Sequence, residues 1–485
     1  MESMYSIQEL IEGSVNVCCY KYREHYYLFD LYNRIPLEVT PKLYECVTIL
    51  KCSSELKEQD IYKKYEAELT FLTESYRRNL LLNTKKISES PTDYVSLCFT
   101  PGHQCNFKCR YCFAQGGETY TDEKNVFDVD DIVKTLDCFF TKIYPDARRY
   151  RVDFVSGGEP LLYFDIIKHV VEYSENFQKI SGKSVQIWLC TNGSLLTSEI
   201  IQFFDKHNIS IGISLDGNRE SHNSNRVYSN GEGTYDDVLA GIRTLLDEPN
   251  VNNKVKSFWG LSVLNESNKD LISIVKHYKD LGIKTAQIKI EWRHFITDKD
   301  TQRYYDLLKE SYERFADFLL FEYEKGNIEF ILMITNENDH FGKMLKRFLT
   351  GIYVSRRCEA GRNKITICPN GDIYPCYSFV GIGEMRLGNI NYSPDIKGIF
   401  NEVGVNCENN YCYFCADKYL CGGDCYYDSY LNSNQLVQPQ KYYCQFQKEL
   451  LSIAIWLVCE MQKTNIELFK IMEREVILNG KVRQQ

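Results

Sequence analysis

Positive charge is the first scarcity. The 485 residues carry 57 Lys and Arg against 66 Asp and Glu, a formal net charge of −9. That argues against nucleic acid as a partner, because phosphate binding needs a positive field, although a local basic groove for a peptide is still allowed. An export signal is also missing: the opening Met1-Glu2-Ser3-Met4-Tyr5-Ser6 has no basic segment followed by an apolar one. The longest apolar run near the end, Leu450 to Cys459, includes Ser452 and is too short for a bilayer; it reads as one face of a C-terminal helix. No solenoid repeat and no low-complexity tract occur. Apolar residues are not scarce. At 44% they suffice for buried cores and exclude wholesale disorder, and the length predicts two or three domains. Cysteine is abundant, with twenty in the chain. Thiols stay reduced in a cytoplasmic protein, the expected location, where clustered cysteines bind metal more often than they form disulfides.

Three patterns divide the chain. Residues 1–88 alternate apolar and polar side chains through Val15–Tyr22 and Tyr26–Tyr32, with a turn at Tyr32-Asn33-Arg34. Helical periodicity follows in Pro41–Leu50, Glu55–Leu69 and Phe71–Leu82. A polar stretch, Asn83 to Asp93, leads into residues 94–295, where six β-rich runs (Tyr94–Phe99, Arg151–Val155, Val185–Leu189, Ile209–Leu215, Phe258–Leu264 and Thr285–Ile290) alternate with helical segments. Six such units predict an α/β fold: a parallel sheet curled into a partial (β/α)6 TIM-like barrel, with its site at the C-terminal strand ends. Residues 298–350 read as a helical bridge, 355–447 as a cysteine-rich domain and 448–485 as a C-terminal helix.

Directly after the first barrel strand come Cys105, Cys109 and Cys112, with Tyr111 between the last two. Three thiolates this close can hold three corners of a cubane cluster on one loop. Four irons with three protein ligands leave one iron open, and an open iron can chelate a small molecule through an amine and a carboxylate; structural sites close the shell instead. A partial zinc site, or plain packing cysteines, is the alternative. One βα unit later the second strand runs into Ser156-Gly157-Gly158-Glu159-Pro160, whose glycines let a ligand approach the backbone and whose Glu159 supplies an anion. Cys-x-x-x-Cys-x-x-Cys with an aromatic before the last cysteine, followed by Gly-Gly-Glu-Pro, resembles the radical S-adenosylmethionine (SAM) superfamily. The resemblance implies that Tyr111 lies along the adenine and that Gly157, Gly158 and Glu159 bind the cofactor's ammonium group. Asn192, in Thr191-Asn192-Gly193, and Ser214, in Ser214-Leu215-Asp216-Gly217, match family segments lining the cofactor pocket, though Asn-Gly and Asp-Gly are also ordinary turn pairs. Arg226 could pair with the cofactor carboxylate or be a solvated loop residue.

Nine cysteines lie between Cys358 and Cys444. Seven of them fit the pattern of the superfamily's SPASM extension, which houses two auxiliary [4Fe–4S] clusters, making three clusters in all. The resemblance assigns Cys412, Cys415, Cys421 and Cys444 to the outer auxiliary cluster and Cys358, Cys376 and Cys425 to the inner one. No cysteine lies between Cys190 and Cys358, so the inner cluster either recruits Cys368 or Cys407 or keeps an open iron for a substrate thiolate. Zinc ribbons use paired Cys-x2-Cys knuckles, and only one such pair occurs here.

The family chemistry passes an electron from the reduced cluster to the bound sulfonium, giving methionine and a 5′-deoxyadenosyl radical that takes hydrogen from carbon. SPASM-bearing enzymes mostly modify peptides or proteins. The strand-then-helix module at residues 1–88 resembles the winged-helix-like element that binds leader peptides by adding them at a sheet edge; a stabilising cap on the barrel is the alternative. The expected function is a peptide maturase that joins a cysteine sulfur to carbon within a ribosomally made precursor (leader plus core), with flavodoxin or ferredoxin as electron donor and with neither nucleic acid nor membrane as partner. Carbon–carbon cross-linking is the second reading, and a non-enzymatic iron–sulfur electron carrier is the alternative of another class. Sulfatase maturation is set aside, because those relatives carry Asp directly after the position of Cys376, where this chain has Tyr377.

Overall fold

A computed structural model describes residues 7–52, 58–82, 94–114, 116, 126–155, 157–249, 251, 255, 257–291, 298–392 and 399–482. Ser156 and the whole of the polar stretch 83–93 lie outside them. The chain forms two compact units: Met1–Ser90 with His294–Arg357 and Gly404–Gln485, and Pro91–Arg293 with Cys358–Val403. The cysteine-rich segment expected as one domain is therefore divided between them.

In the first unit, β1 (Val17–Tyr22), β2 (His25–Asp30) and β3 (Ile35–Val39) make an antiparallel sheet in that order, with Val17 opposite Asp30 and Tyr26 opposite Val39. The turn into β3 is closed by the Asp30 carboxylate, which accepts the Asn33 N–H at 2.7 Å. The sequence pattern missed β3 because it contains Pro36, which an edge strand tolerates. Helices Ile7–Ser14, Pro41–Cys52 and Glu58–Arg77 cover the face presenting Val17 and Leu28, with Leu10, Val47, Leu50 and Leu72 in the same core. The two periodic stretches expected over 55–82 are one helix, Glu58–Arg77, kinked at Tyr65. The other face meets the later helices: Phe29 packs edge-on to Phe348 at 4.7 Å, and Tyr22 lies 5.5 Å from Trp456. The single C-terminal helix expected over 448–485 is two, Lys441–Thr464 and Ile466–Val482. Asn465 separates them, its extended backbone breaking the first and its side chain capping the second by accepting Leu468 N–H at 3.0 Å.

The second unit carries β4 (Val95–Cys98), β5 (Arg149–Phe154), β6 (Ser184–Thr191), β7 (Ser210–Ser214), β8 (Trp259–Leu264) and β9 (Thr285–Ile290), parallel and side by side in chain order. Sequential order with helical crossovers is the barrel pattern rather than the doubly wound one, and the six expected strands are all present. Leu97, Val152, Leu189, Ile213 and Ile288 are buried on one face; the alternate residues, among them Asp153, Trp188, Cys190, Ser214 and Lys289, share the other. What the sequence did not announce is an extension. β10 (Lys364–Ile367) from the cysteine-rich segment pairs parallel with β4, and β11 (Asp372–Tyr374) and β12 (Gly388–Asn389) continue antiparallel beyond it, giving nine strands.

Close approach of backbone sets one test of this packing. Gly241, inside helix Tyr235–Asp247, faces the Gly193 carbonyl so tightly that a Cβ would overlap it. Gly241→Ala should destabilise the protein by about 1–3 kcal/mol in urea unfolding, although helix propensity alone favours Ala by roughly 1 kcal/mol.

Candidate active site

Because the six strands run the same way, the residues following each one gather at one end of the sheet. Those residues are the loop after β4 with Cys105, Cys109 and Cys112; Gly157–Glu159 after β5; Asn192 after β6; Asp216 after β7; Asn265 after β8; and Glu291 after β9.

The cysteine loop is tied down along its length. Glu159 N–H donates to the Gln104 carbonyl at 2.9 Å, Lys108 N–H to Val227 O at 2.7 Å, Arg110 N–H to Asn225 O at 2.8 Å and Cys112 N–H to Cys109 O at 3.0 Å. A Cβ at Gly158 would overlap the Gln104 carbonyl, and Gly157 has φ +96° beside Thr100; here the two glycines are required by the approach of one loop to the other. Asn192 Nδ2 donates to Asn106 Oδ1 at 2.8 Å, joining the β6 end to the same loop.

Glu159 is buried, and its carboxylate accepts from the Thr191 hydroxyl at 2.6 Å, Asn192 N–H at 2.7 Å and Leu161 N–H at 3.1 Å. Burial pushes its pKa up to about 7 against these three donors, which favour the charged form. Within the protein this carboxylate braces the turn on which Gly157 and Gly158 present their backbone.

Asp216 is the second buried carboxylate. It accepts from Tyr111 OH at 2.7 Å, from Arg226 Nε at 3.1 Å and Nη2 at 3.4 Å, and from Val263 N–H at 2.9 Å. The Arg226 guanidinium also lies 5.4 Å from the Tyr111 ring centre. Arg226 is thus neither solvated nor unpaired: the charge expected to meet a cofactor carboxylate is held by Asp216. Sequence reasoning had treated Asp216 as a turn residue; its place directly after a β-rich run was the available signal. Ser214 is buried, with Oγ 3.8 Å from Cys190 Sγ. Sequence reasoning also missed His103 and Tyr377, whose Nδ1 and OH are 3.0 Å apart, with Tyr377 beside Gly157.

The thiols suit a cluster. Burial raises Cys105 to about 12 and Cys109 to about 11, and neighbouring thiols of the same loop add to both shifts. Such thiols are protonated without iron and release protons as a cluster assembles. Among the described residues no three His, Cys, Asp or Glu side chains crowd one point as ligands of a single ion must; the thiolates of a cubane each bind a different iron and stand further apart. Cys412, Cys415, Cys421 and Cys444 share one neighbourhood in the first unit. Burial raises Cys412 and Cys444 to about 12 and Cys415 to about 11; Cys421 adds to all three shifts, Cys415 to those of Cys412 and Cys444, and Cys444 to that of Cys412. Of the expected inner ligands, Cys358 and Cys376 belong to the second unit, where Cys358 bears electrostatically on Cys376, and Cys425 belongs to the first. Cys368 sits in the β10–β11 turn, its N–H donating to Asp372 O at 2.9 Å, and Cys407 lies in the first unit. None of the twenty cysteines is in a disulfide, and among the described residues no helix is long and apolar enough to cross a membrane.

The Asp216 cluster has a pH signature. His222 Nδ1 accepts from Asp216 N–H at 3.3 Å, which leaves Nε2–H to donate to Thr234 Oγ1 at 3.0 Å. Burial first, and Arg226 second, depress the His222 pKa to about 2. A depressed histidine stays neutral in the folded state while the unfolded chain takes up a proton below about 6.5, so its stabilising contribution is present above that pH and is lost as pH falls toward 2. Denaturant unfolding should show a loss of about 1.4 kcal/mol per pH unit below 6.5, and His222→Gln should remove that slope; an unchanged slope in the variant would refute the assignment.

Residues 99–258 match the Radical SAM superfamily. A cysteine-type anaerobic sulfatase-maturating enzyme of Clostridium perfringens is 25% identical over 393 residues, covering 74% of this chain and 96% of that protein. The radical SAM cyclopropyl synthase TigE of Paramaledivibacter caminithermalis is 22% identical over 368 residues, covering 73% of this chain and 69% of its own. A solved structure, native anSMEcpe with bound AdoMet and Cp18Cys peptide, shares the fold with TM-score 0.60 at 21% identity, over 76% of this chain and 99% of that one. With the cysteine loop standing at the C-terminal ends of a parallel partial barrel and that stretch matching the superfamily, residues 99–258 are a radical SAM domain.

Proposed function

We propose that this enzyme is a maturase of a ribosomally made precursor peptide, joining a cysteine sulfur of the core peptide to one of its carbons. The observation that carries the reading is the gathering of the cysteine loop, the Gly157-Gly158-Glu159 turn, Asn192 and Ser214 at one end of six parallel strands. In this reading Cys105, Cys109 and Cys112 hold a [4Fe–4S] cluster with an open iron. Gly157 and Gly158 offer backbone to the ammonium group of S-adenosylmethionine, with Glu159 bracing their turn. Tyr111, fixed by Asp216, flanks the adenine, and Ser214 faces the ribose or carboxylate. The bound cluster and cofactor supply a reducing electron and a carbon radical able to abstract hydrogen. The chain's own work is to hold the cofactor, keep water from the radical and position the peptide. Arg226 enters through Asp216 and Tyr111 rather than by touching the cofactor.

Cys412, Cys415, Cys421 and Cys444 are assigned to the outer auxiliary cluster, and Cys358, Cys376 and Cys425 to the inner one. Residues 1–88 are assigned to leader binding, with the antiparallel sheet β1–β3 and its helices as the element that would take an extended peptide. The relatives named above include enzymes whose names specify sulfatases or cyclopropyl synthesis. The second of these favours, as the other reading, a carbon–carbon bond within the peptide.

The test is anaerobic reconstitution followed by incubation with S-adenosylmethionine, a reductant and any short cysteine-containing peptide found encoded beside the gene. Expected are release of 5′-deoxyadenosine and a peptide lighter by two hydrogens, with one cysteine no longer alkylated by iodoacetamide. Replacing Cys105, Cys109 and Cys112 together by alanine should reduce 5′-deoxyadenosine to background. Turnover by that variant would overturn the assignment, and a lighter peptide with all its cysteines still alkylated would move the reading to carbon–carbon coupling.

A further inference from the structure

The loop that carries Cys412 and Cys415 presents to solvent what most of the surface hides. Phe414, between the two cysteines, is 91% exposed, and Tyr411, directly before Cys412, is 70% exposed. Large aromatics left in water beside a proposed redox centre mark a contact surface rather than a folding requirement. The ring of Tyr413 stands edge-on to Phe414 at 4.9 Å, which stiffens the loop. Its own neighbour is a cation: Lys418 donates from Nζ to the Tyr413 carbonyl at 2.6 Å and lies 4.9 Å from the Tyr413 ring centre.

Charge around these aromatics runs against that of the chain. Lys441, Cys444 and Lys448 recur at three- and four-residue spacing on helix Lys441–Thr464 and so share one face. Both lysines are exposed, and the charge of Lys448 bears on Cys415 and Cys444. Against Lys418, Lys441 and Lys448, the loop has one exposed carboxylate, Glu408; Asp417 is buried and accepts the Tyr20 hydroxyl at 2.8 Å. A cationic, aromatic patch on a chain of net charge −9 is a local departure, and it surrounds the four thiols whose cluster would lie nearest this surface.

We infer that Tyr411, Phe414, Lys418, Lys441 and Lys448 form the docking surface for a small, acidic, one-electron carrier protein that exchanges electrons with the outer auxiliary cluster. The inference rests on the cluster assignment above. The exposed rings would supply the desolvated centre of a small interface and the lysines its steering rim, the combination expected of weak redox encounters. An acidic flavodoxin in its hydroquinone state serves as the probe: each encounter moves one electron to the enzyme, the anionic hydroquinone becomes the neutral semiquinone, and no proton transfer is required.

The experiment uses the reconstituted full-length enzyme and follows cluster reduction by flavodoxin hydroquinone in stopped flow, with dithionite as the carrier-independent control. In the wild type the second-order rate should fall steeply between low and moderate salt. Phe414→Ser and Lys448→Glu should each slow reduction by flavodoxin about tenfold at low salt, while iron content and reduction by dithionite stay at wild-type values. If both variants, with wild-type iron content, take electrons from flavodoxin as fast as the wild type, the docking surface is refuted and the cluster assignment stands. If Cys412→Ala leaves the iron content and cluster spectrum unaltered, no outer cluster exists, and the assignment falls together with the inference.

Discussion

Two buried carboxylates organise the active-site end of the barrel. A carboxylate removed from water costs several kcal/mol unless donors surround it, so each must recruit partners from whatever backbone is near. Glu159 takes them from the ends of β5 and β6, through Leu161, Thr191 and Asn192. Asp216 takes them from Tyr111 in the cysteine loop, from Arg226 and from Val263 on β8. Between them they span the β4 loop and the ends of four further strands. Their positions fix where the cysteine loop can lie, and the tightness of Gly157 and Gly158 against that loop follows from it.

This arrangement separates holding from reacting. The charged groups Glu159 and Arg226 are held in internal hydrogen bonds and shape the surfaces that the backbone and Tyr111 present. A site built this way is preorganised: its donors are in place before any ligand arrives and need not be drawn from water at the moment of reaction. The neutral His222 extends the same logic one layer outward, connecting the Asp216 backbone to Thr234 and thence to the Arg226 carbonyl.

The cysteine-rich segment illustrates where linear reading stops. Its thiol spacing was legible, and four of the expected ligands do share a neighbourhood. Its division was not legible, because β10 carries no more than four residues and pairs with β4, more than 260 residues earlier in the chain. Strand pairing at that separation leaves no local periodicity to read. Pro36 hid β3 for a different reason: the residue argues against a strand unless the strand is known to be an edge, and edges exist only once the sheet is assembled.

The sequence by itself determined the chemistry that depends on neighbours along the chain. Cys105, Cys109 and Cys112 lie on one loop, and the Gly157–Glu159 turn follows one βα unit later, so the resemblance to the superfamily's motifs, which implies the cofactor class, was legible along the chain; the alternation of β-rich and helical runs likewise announced the parallel barrel. Only the tertiary structure decided what Asp216 and Arg226 do. Arg226 had several anions to choose from, and which one it meets depends on strand ends that approach each other only after the sheet closes. Hydrogen bonds have short reach and strict direction, so a partner set by folding cannot be read from residue type.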